Sequence, residues 1–417
     1  MYRIIAAVLA AGACASSLQA RTATSSPVLT LAEALDRAGA SSPFQDAAAA
    51  GIRAAEAQRR VAGLRPNPSI VGEAENVAGT GIYQGLRSSE TTLGLALPLE
   101  LGGKRGARIA VAEAQIGRAG LQSEIARADL RLRVTQTYNA AAAAQRRMAI
   151  AQDQVGIAAE VLRGAHVRVQ AGRASPLEEQ RADVARIAAE GALERARRSA
   201  EAASGNLARL LDMPVGQLDR SWFDAVPSTG AMRPIATSGT LTVAAARADL
   251  DTATAQVRLA RSQRVPDLTV SASARRLEQT NDVAAVFGIS IPLNVFNNGR
   301  ANMAVAEAQR EQSDALRRVA MLDADQDVAT ALADADNAAT TARNATGPAL
   351  AAATEAARIA RIGYREGKFG QLDLLDAERT LLETRTAAID ALAAHHDAQA
   401  RLERLTAAAP LPKDDQR

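Results

Sequence analysis

Gly94-Leu-Ala-Leu-Pro-Leu-Glu-Leu101 returns later in the chain as Gly288-Ile-Ser-Ile-Pro-Leu-Asn-Val295. Ala110-Val-Ala-Glu-Ala-Gln115 returns as Ala304-Val-Ala-Glu-Ala-Gln309 at the same offset, 194 (288 against 94, 304 against 110). Farther on, Gly172 and Leu177 answer to Gly367 and Leu372 at an offset of 195. An alanine-rich composition can produce the second match by chance, but not together with the Gly-x-x-x-Pro-Leu match. An offset held within one residue over such a distance marks an internal duplication. Each copy is a substantial structural unit, unlike the short repeats of a solenoid.

The quoted stretch also has its own period. Leu93, Leu95, Leu97, Leu99 and Leu101 alternate with Thr92, Gly94, Ala96, Pro98 and Glu100. Phe287, Ile289, Ile291, Leu293 and Val295 alternate with Gly288, Ser290, Pro292 and Asn294. Strict period two predicts a strand with one apolar and one polar face. Each strand has a weaker upstream partner, Asn67–Asn76 in the first copy and Pro266–Leu277 in the second. Gly79, Gly81 and Gly85 fall in the first hairpin loop and Asn281-Asp282 in the second. Two hairpins give four strands per chain. Their length is about what a tilted strand needs to cross a membrane, roughly ten residues. The other reading of such alternation is a half-buried strand of a soluble sheet. Four strands cannot close a barrel, so a membrane barrel requires several copies of the chain.

The rest of the chain reads as helix. Gly103 to Ala171 contains no proline and is dominated by Ala, Leu, Arg, Gln and Glu, all good helix formers. From Gly299 to Glu366 only Pro348 interrupts. Apolar residues recur at steps of three and four, as in Val155, Ala158, Ala159 and Leu162. That spacing is coiled-coil-like, with small alanines permitting close approach. Shorter helices are expected over Leu31–Leu64, Pro176–Leu211, Val243–Arg264 and Asp373–Leu405. Two short helices end to end match one long one, which spans roughly 100 Å at 1.5 Å per residue. Gly172 is placed to end the first long helix in a left-handed cap. Ser175-Pro176-Leu177-Glu178 then reads as a capping box with proline at the first helical position. Gly367 and Gly370 frame the corresponding turn of the second copy.

Residues 1–20 read as a secretory signal peptide: a basic start, a short apolar run from Ile4 to Ala13, then small residues. Cleavage after Ala15 or Ala20 fits this pattern. Ala11-Gly12-Ala13-Cys14 also resembles a lipobox, which would make Cys14 a lipidated first residue. No later run of 18 apolar residues exists, so any crossing of a membrane by the mature chain uses strands. The expected organisation is a first repeat over 21–212, a linker rich in Pro, Gly and Ser over 213–240, a second repeat over 241–406 and a disordered tail over 407–417.

Composition narrows the chemistry. Of 417 residues only 2% are aromatic, which removes the exposed rings that a nucleic-acid stacking surface needs. Lys and Arg number 49 against 46 Asp and Glu, a net charge of +3 with no basic block. One Cys and three His leave little for metal or acid–base work. No Ser/His/Asp set or zinc-protease motif occurs, and Gly102-Gly103-Lys104 lacks the spacing and the Ser/Thr of a phosphate-binding loop. His395-His396 are adjacent on an expected helix, point in different directions and read as core or solvated side chains. No enzyme activity and no cofactor are expected.

The signal peptide, the duplicated strand pairs and the long helices together resemble the TolC family of outer-membrane efflux ducts, over nearly the whole mature chain. Leu99-Glu-Leu-Gly-Gly-Lys-Arg105 looks like the CzcC-like branch, whose members serve heavy-metal cation exporters. Gly363-Tyr-Arg-Glu-Gly367 with Leu372-Asp-Leu-Leu-Asp-Ala377 looks like the family's helical tip. The resemblance implies a mainly α fold with membrane β: a TolC-like duct with two structural repeats per chain. A homotrimer would close a 12-stranded barrel in outer-membrane lipid and continue it as a periplasmic α-helical coiled-coil barrel. It implies as partners a periplasmic adaptor and an inner-membrane RND-type pump. Val169, Gly172 and Arg173, with Arg365, Gly367 and Lys368, would form the two adaptor-contacting tips. Asp373 and Asp376 would ring the periplasmic gate; the plainer alternative is that they favour the helix N-terminus dipole. Drugs or organic solvents are the alternative cargo to divalent metal cations. A secreted periplasmic coiled-coil scaffold is the alternative class. The aromatic girdle usual in membrane barrels is nearly absent.

Overall fold

The computed structural model describes residues 28–40, 42–227 and 236–410. The signal-peptide and Cys14 readings fall outside these residues. In chain order the elements are α1 (Leu31–Ala40), α2 (Pro43–Ala62), β1 (Ser69–Glu75), β2 (Glu90–Leu99), α3 (Lys104–Gln170), α4 (Pro176–Leu211) and α5 (Arg220–Asp224). The second copy supplies α6 (Leu241–Ser262), β3 (Leu268–Leu277), β4 (Asp282–Ser290), α7 (Arg300–Asn344), α8 (Leu350–Arg365) and α9 (Gln371–Leu405).

All four strands form one antiparallel sheet in the order β1-β2-β3-β4, so the copies meet along β2 and β3. Leu95 faces Ile70 on one side and Ala272 on the other, and Ala272 faces Phe287. This row belongs to a single apolar face. Thr92 faces Glu73 and Arg275 on the opposite, polar face. The apolar face is uncovered: Ile70 is 78% exposed and Phe287 80%. Period two therefore marks the strands' faces correctly, but the apolar face is the outer one, as in a membrane barrel wall.

The expected β4 extends too far along the chain. It starts at Asp282 and stops at Ser290, short of the alternation that continues to Val295. Ser290 pairs with Thr269, one residue from the start of β3, and Pro292 has no N–H to continue a ladder. The helix expected over Leu31–Leu64 is two helices. Pro43 disfavours helix at the residue before it. Ser42 instead caps α2, its hydroxyl accepting the Phe44 amide at 3.3 Å.

The α3 helix is continuous over 67 residues, about 100 Å. The α2 and α4 helices pack along its two halves, as the length arithmetic predicts. In the second copy α7 and α8 are joined by one π-helical turn, Ala345–Ala349, which contains Pro348. A π turn holds one residue more than the α turn it replaces. The repeat offset rises from 194 to 195 between residues 309 and 367, the interval that holds this turn.

The core sits where the two copies and the intervening segment meet. Leu29 pairs in parallel with Leu218, and the buried Tyr138 hydroxyl donates to the Leu29 carbonyl at 2.8 Å while accepting the Asp219 amide at 3.1 Å. Burial pushes the Tyr138 phenol up to about 12. Trp222 packs edge-on to Tyr138 at 5.4 Å and stacks on His396 at 4.1 Å. His396 Nε2 lies 2.9 Å from the Phe223 carbonyl, and Asn139 donates to the Ala393 carbonyl and to Asp397. Both adjacent histidines are thus buried: α5 closes over His396, and His395 lies near Arg343 of α7, which packs on α9. Ala407–Pro410, expected in the tail, continue the fold: Ala408 bridges to Thr240 and the Ala409 amide donates to the Gly239 carbonyl.

Burial holds the imidazoles of His395 and His396 below the usual histidine range. Arg343 acts in the same sense on His395, while the Phe223 carbonyl, Asp397 and Asp224 act against it on His396. A histidine with a depressed folded pKa binds more protons when unfolded. Its stabilising effect is complete above about pH 6.5 and is lost as pH falls from there toward the folded value. The melting temperature of the purified protein should therefore fall as pH is lowered below about 6.5. His395→Leu combined with His396→Gln should flatten that slope in the same thermal scan.

Candidate functional site

Two helical tips lie at the end of the helices remote from the sheet, and both are built the same way. At the first, α3 ends in a Schellman turn. The Gly172 amide donates to the Val169 carbonyl at 3.0 Å and the Arg173 amide to the Arg168 carbonyl at 2.8 Å. At the second, the Gly367 amide donates to the Tyr364 carbonyl at 3.1 Å and the Lys368 amide to the Gly363 carbonyl at 2.8 Å. Gly172 and Gly367 carry φ of +66° and +74°, the left-handed conformation this motif requires. Val169 is half-buried, while Gly172, Arg173, Arg365, Gly367 and Lys368 are exposed. The structure thus brings the sequence-selected residues together within each turn. Lys368 pairs with Glu366 at 2.7 Å, and His166 Nδ1 lies 2.7 Å from Glu179 Oε1 across the first hairpin.

The helices leaving the tips differ. Ser175 caps α4 by accepting the Leu177 amide at 3.2 Å, but Glu178 does not complete the expected capping box. Its carbonyl instead accepts from Gln371 Nε2 at 2.6 Å, which ties α4 to α9. Asp373 turns its carboxylate back to the Gly370 amide at 3.0 Å, and Asp376 pairs with Arg379 at 3.1 Å. Both aspartates stay exposed on one helix face.

Sequence reading missed two further contacts, one between the hairpins and one within the second. The Arg168 guanidinium lies 4.6 Å over the Tyr364 ring. Arg361 forms a forked ion pair with Glu378, with Nη2 2.8 Å from Oε2. The hydrogen bond to Glu378 raises the Arg361 pKa. Glu378 is buried and Arg361 half-exposed.

At the other end, the polar face of the sheet is organised by Arg275. Its guanidinium reaches Glu75 at 2.8 Å, Glu90 at 2.9 Å and the Thr92 hydroxyl at 3.0 Å. Arg275 has the same parity as Ser271 and Ser273, the only signal in the sequence for its position. The sheet joins α3 through a locked junction. Lys104 pairs with Asp267 at 2.7 Å, Asp267 also accepts the Leu101 amide at 3.1 Å, and Glu100 pairs with Arg108. Gly102 carries φ of +69°, and a Cβ there would lie 2.7 Å from Val265. The motif Leu99–Arg105 is accordingly a strand-to-helix lock. Among the described residues no three His, Cys, Asp or Glu side chains converge as a metal site, and no helix is long and apolar enough to cross a membrane.

An open sheet with an apolar outer face, continued by helices of about 100 Å, defines one protomer's share of a membrane duct wall. Residues 34–212 and 235–408 match the model of the outer membrane efflux protein family, and the chain belongs to that family. The cobalt-zinc-cadmium resistance protein CzcC of Cupriavidus metallidurans is 33% identical over 399 residues, covering 90% of each chain. Among solved structures, the outer-membrane channel OprN superposes with a TM-score of 0.74 at 22% identity, covering 91% of this chain and 90% of that one. The outer membrane protein VceC of Vibrio cholerae gives 0.72 at 21%, covering 91% and 96%. The protein is an outer-membrane efflux channel component with the TolC-like duct fold and a periplasmic helical part.

The Arg361–Glu378 pair sets how firmly α8 is held to α9. Glu378→Gln keeps the shape and removes the charge. It should cost on the order of 1 kcal/mol, limited by the exposure of Arg361. Hydrogen exchange should show faster opening of α8 and the start of α9, with α3 unchanged.

Proposed function

We infer that three copies of the chain close a passive duct that carries divalent heavy-metal cations from a periplasmic and inner-membrane exporter to the exterior. The observation that carries the duct is the sheet. It exposes its whole apolar face and leaves β1 and β4 unpaired on their outer sides. Three such sheets give twelve strands, and closure satisfies the edges that hydrocarbon would otherwise leave bare. The cargo reading rests on the similarity to CzcC across nine-tenths of both chains.

In this reading residues 1–20 are removed on export. The repeats 21–212 and 241–406 flank the segment 213–240. Energy and selectivity come from an RND-type pump, and a periplasmic adaptor meets the duct at the two tips. Arg173 and Lys368 project from matching positions of the two Schellman turns, which supports them as adaptor contacts. Expression in a strain lacking its own metal-efflux duct, alongside the cognate pump and adaptor, tests the function. Tolerance to cobalt, zinc and cadmium should return, and tolerance to hydrophobic drugs should not change. Charge reversal by Arg173→Glu with Lys368→Glu should abolish that tolerance while the trimer still forms, as judged by native mass spectrometry. Unchanged tolerance would remove these turns from the interface.

The gate reading assigns Asp373 and Asp376 to a narrow ring of six carboxylates, two from each chain. Their exposure on one face supports it, although Asp373 also caps its helix. Crowded carboxylates attract cations. Divalent cations added on the periplasmic side of reconstituted channels should block conductance, and Asp373→Ala with Asp376→Ala should relieve the block. A double variant blocked like the wild type would leave these residues as helix-capping groups only.

A further inference from the structure

The two strand-to-helix junctions occupy matching places in the repeats but differ in chemistry. The first is closed by the Lys104–Asp267 and Glu100–Arg108 pairs, and Arg105 donates to the Gly63 carbonyl at 2.6 Å. The second, Ile291–Gly299, has no charged side chain. Instead it exposes Leu293 at 83%, Val295 at 73% and Phe296 at 102%. Local hydrogen bonds shape this loop. The Val295 amide donates to the Leu293 carbonyl at 2.9 Å, and Asn297 and Asn298 accept the amides of Gly299 and Arg300 at 3.1 Å. Its polar groups are thus turned to the backbone and its apolar groups outward.

The outward row has a direction. Val283, Ala285, Phe287 and Ile289 lie on the apolar face of β4. Ile291, Leu293 and Val295 continue the same parity beyond the last ladder residue, Ser290. The apolar face of the sheet is thus followed in the loop by four exposed apolar side chains, Ile291, Leu293, Val295 and Phe296. Asn294, Asn297 and Asn298 are interleaved with them, and the exposed Arg264 and Arg300 flank them. Apolar side chains mixed with amides and bordered by guanidinium groups match the boundary between acyl chains and phosphate headgroups.

We propose that the loop Ile291–Phe296 is a membrane-interface anchor, seated at the acyl–headgroup boundary of the periplasmic leaflet of the outer membrane. It supplies, on one side only, what the missing aromatic girdle would supply. The proposal rests on the outer-membrane placement of the sheet.

The test uses the full-length protein reconstituted in phosphatidylcholine vesicles whose acyl chains are brominated either near the headgroup or near the bilayer centre. The native Trp222 is an internal control. It packs on Tyr138, 34 residues along α3 from Lys104 and so about 50 Å from the junction, beyond the reach of bromine. Phe296→Trp should add an indole that emits at short wavelength and is quenched several-fold more by bromines near the headgroup than by bromines near the bilayer centre. Leu293→Trp, in the same loop, gives a second reading should the first variant not assemble. Phe287→Trp, in mid-sheet, should be quenched best by the deep bromines. If Phe287→Trp is quenched and both loop variants are not, the anchor is overturned and the sheet's placement stands. Short-wavelength emission without quenching in the loop variants would show a neighbouring copy covering the loop, which also overturns it. If none of the three is quenched, the membrane placement of the sheet fails with the anchor.

Discussion

The outer edges of β1 and β4 carry backbone amides and carbonyls that no other part of the described chain reaches. In water such an edge is a liability; in hydrocarbon each unpaired group costs several kcal/mol. The remaining features of the molecule are arranged around that constraint. The strands are about as long as a bilayer crossing needs, their apolar side chains point away from the closing axis, and their polar side chains are neutralised in place around Arg275. A sheet that must be completed by other copies also fixes where the helices begin. Each hairpin delivers its chain to a junction with a left-handed glycine, Gly103 or Gly299, from which a long helix starts.

The second organising contact is the knot around Tyr138. One hydroxyl joins the chain's first described segment to the segment between the repeats, and the Trp222–His396 stack joins that segment to the last helix. Long two-helix walls have little depth, and small alanines bury little area per residue. Among the described residues, the large fully buried side chains Tyr138, Phe223, Leu207 and Val134 all lie in this knot. The helical walls can remain thin and alanine-lined because their mutual alignment is set here.

Much of this architecture is legible in the residues. The alternation around Gly94 and Gly288 is legible because period two survives any tertiary context that keeps one face apolar. The tips are legible because a Schellman turn admits few residues other than glycine at its left-handed position, so Gly172 and Gly367 announce it. The end of β4 is not legible, because it depends on where β3 begins rather than on β4's own pattern. Nor is the burial of His396, because the covering element, α5, has five residues and no period to recognise. Glu378 and Gln371 look like surface positions of a coiled coil. Only the pairing of α9 with α8 and α4 buries them.

The π turn at Ala345–Ala349 has a consequence for how the two halves of the chain stay in phase. An α-helix advances about 100° per residue, so one added residue would swing everything beyond it around the axis. Here the extra residue is confined to a single widened turn, and the helix runs from α7 through it into α8. Beyond it the second tip carries the same Schellman hydrogen bonds as the first, although its half of the chain is one residue longer. The bulge acts as a vernier: length has drifted between the duplicated halves, while the hydrogen bonding of the turn at the far end has not.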